Sequence, residues 1–474
     1  MKNYTKTLLK EANKIPEKAS IVISPEVIGR PEQGIGINIT LDNQAEGSYP
    51  TDDAGWRQVL DNLSWMSPAW LCLTLPVEKV INRDGSINKE ADVLTQFSYF
   101  CHWAEEHETD IVLMFPKNVP SWLRFTGLDS GSPAPADLNG YADLICTALG
   151  YFIHNLKYTR IRYVTIFGEP FNADGEEFTF ETPDGIDPYL YYVEMHKVVR
   201  DALDRKDLRS VELMGPNSAD VYAYIETDRN MNERKADLSK YVGAIDLHSY
   251  RMRFDYLPPS RHIPTCTLTE YVNDYLAPIV ASIKARKKPC FITELGCMYY
   301  GKSRYGDNRG PSKYEAIIAE AELIIRGLNI GMDGFLKWVY MFNTQELRGH
   351  YHLLSQTEDG YRAKHNLYGY GAMCRYFPKQ AKVLRTIMRN TDNLCATALE
   401  SVNGDITLLM VNDHPSNLIE VEITSAPEDK IFHQIVFDNW ETGKTTRVQK
   451  SENGKLSVIA TPLSITAVTS MHVE

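Results

Sequence analysis

Tyr163-Val164-Thr165-Ile166-Phe167-Gly168-Glu169-Pro170 and Pro289-Cys290-Phe291-Ile292-Thr293-Glu294-Leu295-Gly296 share one pattern: a short apolar run that stops at a glutamate. Apolar runs of this length without polar alternation read as strands buried on both faces, the kind that parallel sheets use. A carboxylate at the C-terminal end of such a strand stands where barrel enzymes keep their chemistry. The pair therefore bears on fold and function together.

Working outward, a theme of apolar strand, polar loop and helical periodicity repeats across residues 33–343. The predicted strands are 34–40, 70–75, 111–115, 163–167, 211–215, 244–248, 290–293 and 334–339, with helical segments at 93–106, 136–155, 188–205, 268–286 and 312–329. Eight such units imply an α/β chain whose residues 31–378 close into a (β/α)8 TIM barrel. The alternative, an open doubly wound sheet, lacks the glycine-rich turn that a dinucleotide site needs after its first strand. Beyond Tyr376 the periodicity changes to short alternating strands at 405–411, 418–424, 431–437 and 455–460, so 379–474 is predicted to be an antiparallel β-sandwich. Residues 1–30 form an N-terminal segment in which 19–28 is strand-like and is placed as an added edge strand of that sandwich. The long irregular stretches 171–187, 251–264, 298–311 and 342–365 all follow barrel strands, where long loops build pockets.

Composition narrows the partners. A net charge of -12 over 474 residues argues against nucleic acid, and a neutral or weakly charged ligand fits better. The mixed-charge start of the chain reads as neither signal peptide nor membrane anchor, and no apolar run approaches spanning length. The sequence as written thus reads as cytoplasmic, with a secreted or periplasmic protein reading the same once a leader is removed. Nothing in it specifies an oligomeric state. The eight cysteines lack close C-x-x-C pairs and read as free thiols, mostly of the core.

Two carboxylates at strand ends across one pocket match the needs of glycoside hydrolysis. One protonates the leaving oxygen; the other stands on the far side of the sugar. When the carboxyls are about 5 to 5.5 Å apart the second attacks directly and configuration is retained. These residues carry a resemblance to clan A of the glycoside hydrolases, where the acid/base glutamate ends the fourth barrel strand before a proline and the nucleophile ends the seventh. Glu169-Pro170 matches the first position and Thr293-Glu294-Leu295-Gly296 the second. Pro120-Ser121-Trp122 resembles the clan's turn after the third strand, His248-Ser249-Tyr250 its His-x-Tyr after the sixth, and Trp338 its tryptophan beneath the reacting sugar. The trailing sandwich is similar to that of families thirty and thirty-nine. The resemblance implies a retaining β-glycosidase that works by double displacement without a cofactor, with Glu169 as acid/base and Glu294 as nucleophile.

One position departs from the pattern. The clan's asparagine before the acid/base is Gly168 here, so the bond it makes to the sugar 2-hydroxyl is either lost or supplied by another side chain such as Asn172 or Asn217. The predicted substrate-binding set is therefore His248, Tyr250, Trp338, Trp122, Asn217 and Asn172. Tyr250 is the candidate to hold Glu294, and His248 either shapes the pocket as a buried histidine or touches Glu294 or substrate. Trp122, Tyr299, Tyr300, Phe342 and Tyr351 are candidates to extend the aromatic lining. His350-Tyr351-His352 and Asp174-Gly175-Glu176-Glu177 have only fragments of metal-site spacing, and no metal is predicted. Loops around the mouth favour an exo-acting enzyme on oligosaccharides. The alternatives are an endo-acting glycan hydrolase and a catalytically inactive carbohydrate-binding barrel.

Overall fold

The computed structural model describes residues 17–41, 49–115, 119–128, 132–171, 178–250, 266–296, 313–341, 352–357, 360–438 and 442–473. Eight parallel strands form the barrel. After an N-terminal strand, β1 (Glu17–Gly29), they are β2 (Gly34–Thr40), β3 (Trp70–Thr74), β4 (Asp110–Met114), β5 (Ile161–Thr165), β6 (Glu212–Leu213), β7 (Ile245–Ser249), β8 (Cys290–Leu295) and β9 (Gly334–Lys337). They pair in the order β6-β5-β4-β3-β2-β9-β8-β7. A parallel bridge between Met214 and Ala244, with Gly243 N–H donating to Leu213 O at 2.8 Å, joins the two ends and closes the ring.

Alternation along each strand sorts side chains between two environments. On β2, Ile35, Ile37 and Ile39 join the large core shared with the helices. The inward set of Trp70, Cys72, Val112, Met114, Tyr163, Met214, Ala244, Phe291 and Leu336 fills the barrel interior. Gly36 is required by this filling, because a Cβ there would stand 2.1 Å from the Trp70 carbonyl oxygen. The helix Pro188–Arg205 shows how the outer layer forms: Asp187 caps it by accepting from Leu190 N, proline opens it, and Tyr189, Tyr192, Val193, His196, Val199 and Leu203 make its buried stripe. Lys337 on β9 meets Glu320 of the helix Lys313–Asn329 at 2.6 Å to both carboxylate oxygens, with both side chains fully buried.

The remaining strands are the hairpin β10 (Leu354–Thr357) and β11 (Gly360–Ala363), then β12 (Lys382–Arg389), β13 (Leu394–Glu400), β14 (Ile406–Asn412), β15 (Ile419–Thr424), β16 (Ile431–Phe437), β17 (Thr442–Lys450), β18 (Leu456–Ala460) and β19 (Ser464–Thr469). Together with β1 the strands after the hairpin form a nine-stranded sheet in the order β17-β16-β19-β14-β13-β12-β1-β15-β18. Its apolar face includes Ile21, Leu394, Leu408, Val421, Phe432 and Val458. This corrects the placement of the N-terminal strand, which lies inside the sheet and not at its edge. It runs antiparallel to β12 and parallel to β15, so the sheet is mixed. Backbone pairing on both sides holds that strand even though it is broken by irregular register near Val27.

The ends of the barrel strands lie within two residues of the sequence reading, and the fifth is the shortest, Glu212–Leu213, continued by the bridge from Met214 to Ala244. Strands β10, β11, β12, β13 and β17 are absent from that reading. The last, Thr-Gly-Lys-Thr-Thr-Arg-Val-Gln-Lys, has no apolar alternation and is fixed by its partner β16. Cys72, Cys101, Cys146, Cys266, Cys290, Cys374 and Cys395 are free thiols, and all but Cys266 are buried. Among the described residues no helix is long and apolar enough to cross a membrane.

Candidate active site

The fourth, sixth and seventh barrel strands end side by side in function though not in sequence, and bring Glu169, His248 and Glu294 together. One donor atom from each lies within 4.8 Å of the other two. The Nδ1 of His248 stands 3.1 Å from Glu169 Oε1 and 3.5 Å from Glu294 Oε2. Tyr250, two residues on and just past the same strand, donates its hydroxyl to Glu294 Oε2 at 2.5 Å. The two carboxylates differ in exposure: the Glu169 side chain is 32% exposed and that of Glu294 is 11%.

His248 is fully buried. Burial disfavours its charged form, but the combined attraction of Glu294, Glu169 and Asp246 outweighs that cost and lifts its pKa to about 9. The imidazole is therefore a cation at neutral pH when both glutamates are ionised. Such a trio can also accept a divalent cation in kind, and that cation would compete with the proton on His248.

Behind the glutamates lies a buried polar layer that the inward alternation of the strands places there. Asp246 sits two residues before His248 on β7 and so faces the same way. Its Oδ1 accepts Asn217 N–H at 2.7 Å, and its Oδ2 accepts the Asn217 side-chain amide and the Thr293 hydroxyl, each at 2.7 Å. Burial raises the Asp246 carboxyl above its ordinary range, while the Asn217 and Thr293 hydrogen bonds and the charge of His248 oppose that rise. Asn38 on β2 reaches over the neighbouring β9 to β8, donating to Thr293 O at 2.8 Å and to Lys337 O at 3.3 Å. Cys72, beneath this layer, has its thiol pushed well up by burial and by the charges of Glu294 and Asp246, which leaves it inert.

Glu169 itself adopts left-handed backbone geometry with φ 46°. For a residue with a Cβ that conformation costs about 1 to 2 kcal/mol. Its N–H is met by both the carbonyl oxygen of Asn217 at 3.0 Å and the Asn217 Oδ1 at 3.2 Å, and its C=O accepts the Thr179 hydroxyl at 2.7 Å. Backbone held in a sparsely populated conformation by surrounding contacts is a mark of functional positions.

The predicted site residues divide accordingly. Glu169, Glu294, His248 and Tyr250 converge. Trp338 is half-buried just beyond β9, its N–H bonded to Leu295 O at 2.8 Å and its peptide to Val339 cis. Trp122 is half-buried and packs on the main core in the turn after the third barrel strand. Asn217 is corrected: it is fully buried with its amide bonded to Asp246 and to the Glu169 backbone, so it faces the protein and not a sugar. Asn172, Tyr299, Tyr300, Phe342 and Tyr351 lie outside the described residues. Asp246, Thr293 and Asn38 were not foreseen. A charged residue inside the apolar run Ala244-Ile245-Asp246-Leu247, in step with His248, was the signal available for the first of them.

No protein-family model matches the chain, and neither does any curated protein. Solved structures do. A family 30 endoxylanase from Clostridium papyrosolvens superposes with TM-score 0.65 at 12% identity, over 96% of this chain and 99% of its own. A family 44 xyloglucanase from Paenibacillus polymyxa gives 0.60 at 10%, over 96% and 99%. A glucosidase from Croceicoccus marinus gives 0.61 at 12%, over 95% and 98%. At such identities the likeness is one of fold: a barrel with a β-sandwich, the architecture of the clan A glycoside hydrolases.

Proposed function

We propose that the chain is a retaining glycoside hydrolase acting on a β-linked glycan, with Glu169 as acid/base and Glu294 as nucleophile. The observation that carries the reading is the approach of the two carboxylates. One oxygen of each lies within 4.8 Å of one oxygen of the other, which supports the closer separation that direct attack uses, about 5 to 5.5 Å between carboxyls. An inverting pair needs about 6.5 to 9.5 Å between carboxyls, to leave room for water.

Exposure and partners support the division of labour. Glu294 is the more buried and accepts the Tyr250 hydroxyl, which orients the carboxylate that attacks the anomeric carbon. Glu169 is the more open, as a group must be that first gives a proton to the leaving oxygen and later takes one from water. In the first step the bond from C1 to the leaving oxygen breaks as the ester to Glu294 forms, and the Glu169 proton departs with the alcohol. In the second, Glu169 takes a proton from water, the hydroxide attacks C1, and Glu294 leaves as carboxylate. His248 beside Glu169 stabilises the carboxylate present between the two steps. A half-buried Trp338 offers the flat apolar wall that a sugar ring packs on.

The substrate is an oligosaccharide or glycoside, and exo action on chain ends is the expectation from sequence, since the long segments it rests on lie largely outside the described residues. A second reading, endo cleavage within a glycan chain, is favoured by the endoxylanase among the structural matches. The test is a panel of nitrophenyl pyranosides and furanosides, followed by product sizing on xylan, xyloglucan and β-glucans. Monosaccharide release from the outset supports exo action, and an early fall in polymer length supports endo action. No turnover on any substrate would favour a binding protein.

A further inference from the structure

We infer that Asn217, anchored by Asp246, is the positioning residue that fixes the backbone of Glu169, and that the same aspartate fixes Glu294 through Thr293. The inference rests on the glycosidase reading and extends it to residues that touch neither the sugar nor the breaking bond.

The geometry is specific. Glu169 follows a glycine and is held in a left-handed conformation that few residues adopt unaided. What holds it is one residue acting twice, since both oxygens of Asn217 accept the Glu169 N–H, at 3.0 Å and 3.2 Å. Asn217 is itself left-handed, with φ 54°, and is kept so by Asp246, which binds both its backbone and its side-chain N–H groups at 2.7 Å. The Asp246 oxygen that binds the Asn217 side chain also binds the hydroxyl of Thr293, the residue before Glu294. One buried carboxylate is thus two short links from each glutamate. Hydrogen bonds to an ionised acceptor are the short and strong ones, so this cradle is stiff. Stiffness matters because a displacement of an ångström at a reacting group costs orders of magnitude in rate.

The experiment exploits what each glutamate does. Asn217→Gly removes the side-chain acceptor while suiting the left-handed backbone and keeping the carbonyl acceptor. Two glycosides of one sugar are compared by kcat/KM, a dinitrophenyl glycoside whose leaving group departs without a proton and an alkyl glycoside whose leaving group needs one. The ratio of the two is blind to the fraction of protein folded. In Asn217→Gly the dinitrophenyl-to-alkyl ratio should rise roughly tenfold or more over wild type, because the lost acceptor holds Glu169 directly, whereas Thr293 beside Glu294 keeps its 2.7 Å bond to Asp246 and loses only a long 3.5 Å contact from the Asn217 amide. An unchanged ratio overturns the inference. Asp246→Asn serves as the second variant: it disturbs the link to Glu294 as well, so kcat/KM should fall for both glycosides relative to active-site-titrated protein, and an undiminished dinitrophenyl rate overturns the claim for Asp246. A wild type that cleaves neither glycoside fails the glycosidase reading itself, whereas an active wild type with an unchanged ratio fails this inference alone.

Discussion

His248 holds its Nδ1 3.1 Å from Glu169 Oε1 and 3.5 Å from Glu294 Oε2, so a single imidazole edge serves both carboxylates. A cation shared in this way offsets the repulsion between the two glutamates whenever both are ionised, as they are once Glu169 has given up its proton.

The pH dependence of stability follows. The ordinary histidine pKa of 6.5 rises to about 9 in the fold, burial being outweighed by Glu294, Glu169 and Asp246. A group whose folded pKa is raised stabilises the protein fully below its unfolded pKa, and that contribution is lost as pH rises through the folded value. The Tm gap between wild type and His248→Gln should therefore be widest below about pH 6.5 and close as pH passes about 9. Differential scanning calorimetry across that range checks it, and a gap independent of pH would contradict a charged imidazole.

Removing each glutamate separates their roles. Glu294→Ala should abolish turnover of every glycoside. Glu169→Ala should lose roughly 10² to 10⁴ in kcat/KM on substrates that need a proton while still forming glycosyl-enzyme from dinitrophenyl substrates. Azide should rescue that variant with a glycosyl azide of retained configuration, identified by NMR. An inverted azide would exchange the two assignments.

Tyr250→Phe deletes the hydroxyl that donates to Glu294 at 2.5 Å and little else. A hydrogen bond to a charged group is worth about 1.5 to 3 kcal/mol, which predicts a loss of roughly ten- to a hundredfold in kcat/KM. Steady-state kinetics on one aryl glycoside measures it.

Recognition at the sugar 2-position is the test of Gly168. Asn217 is fully buried and committed to Asp246 and Glu169, which removes one of the three side chains, Asn172, Asn217 and His248, that stood to replace the missing asparagine. If neither Asn172 nor His248 supplies the contact, a 2-deoxy substrate should lose far less rate than is usual for this chemistry. A large penalty that disappears in Asn172→Ala would instead give the contact to Asn172, by the logic of a double-mutant comparison.

Away from the mouth, Lys337 and Glu320 are a fully buried pair. Lys337→Met should destabilise by about 3 to 5 kcal/mol because it strands a buried carboxylate, and adding Glu320→Leu should recover much of that. Urea unfolding of the single and double variants provides the comparison.

Much of this was legible beforehand because it depends on local pattern. Buried parallel strands are continuous apolar runs, so β5 and β8 announced themselves and carried Glu169 and Glu294 to the same end of the barrel. The polar layer was not legible, because Asn38, Asp246 and Thr293 are far apart in sequence and meet only when the ring closes. Asn217 was read as facing substrate for the same reason: spacing places it after the fifth barrel strand, but only Asp246 decides which way it turns. In the sandwich, β17 was missed because its order comes from pairing with β16, not from its own residues.

Strand β1 lies between β12 and β15, so the chain's first described strand completes a sheet whose other members come after the barrel. In connectivity the barrel is an insert within the smaller domain, clasped at both ends. During synthesis β1 has no partner until the ribosome has passed residue 389, and its hydrogen-bonding edges stay open meanwhile. A fragment beginning at residue 379 would lack the strand that joins two halves of its sheet, and an expression boundary drawn there would cut through a domain.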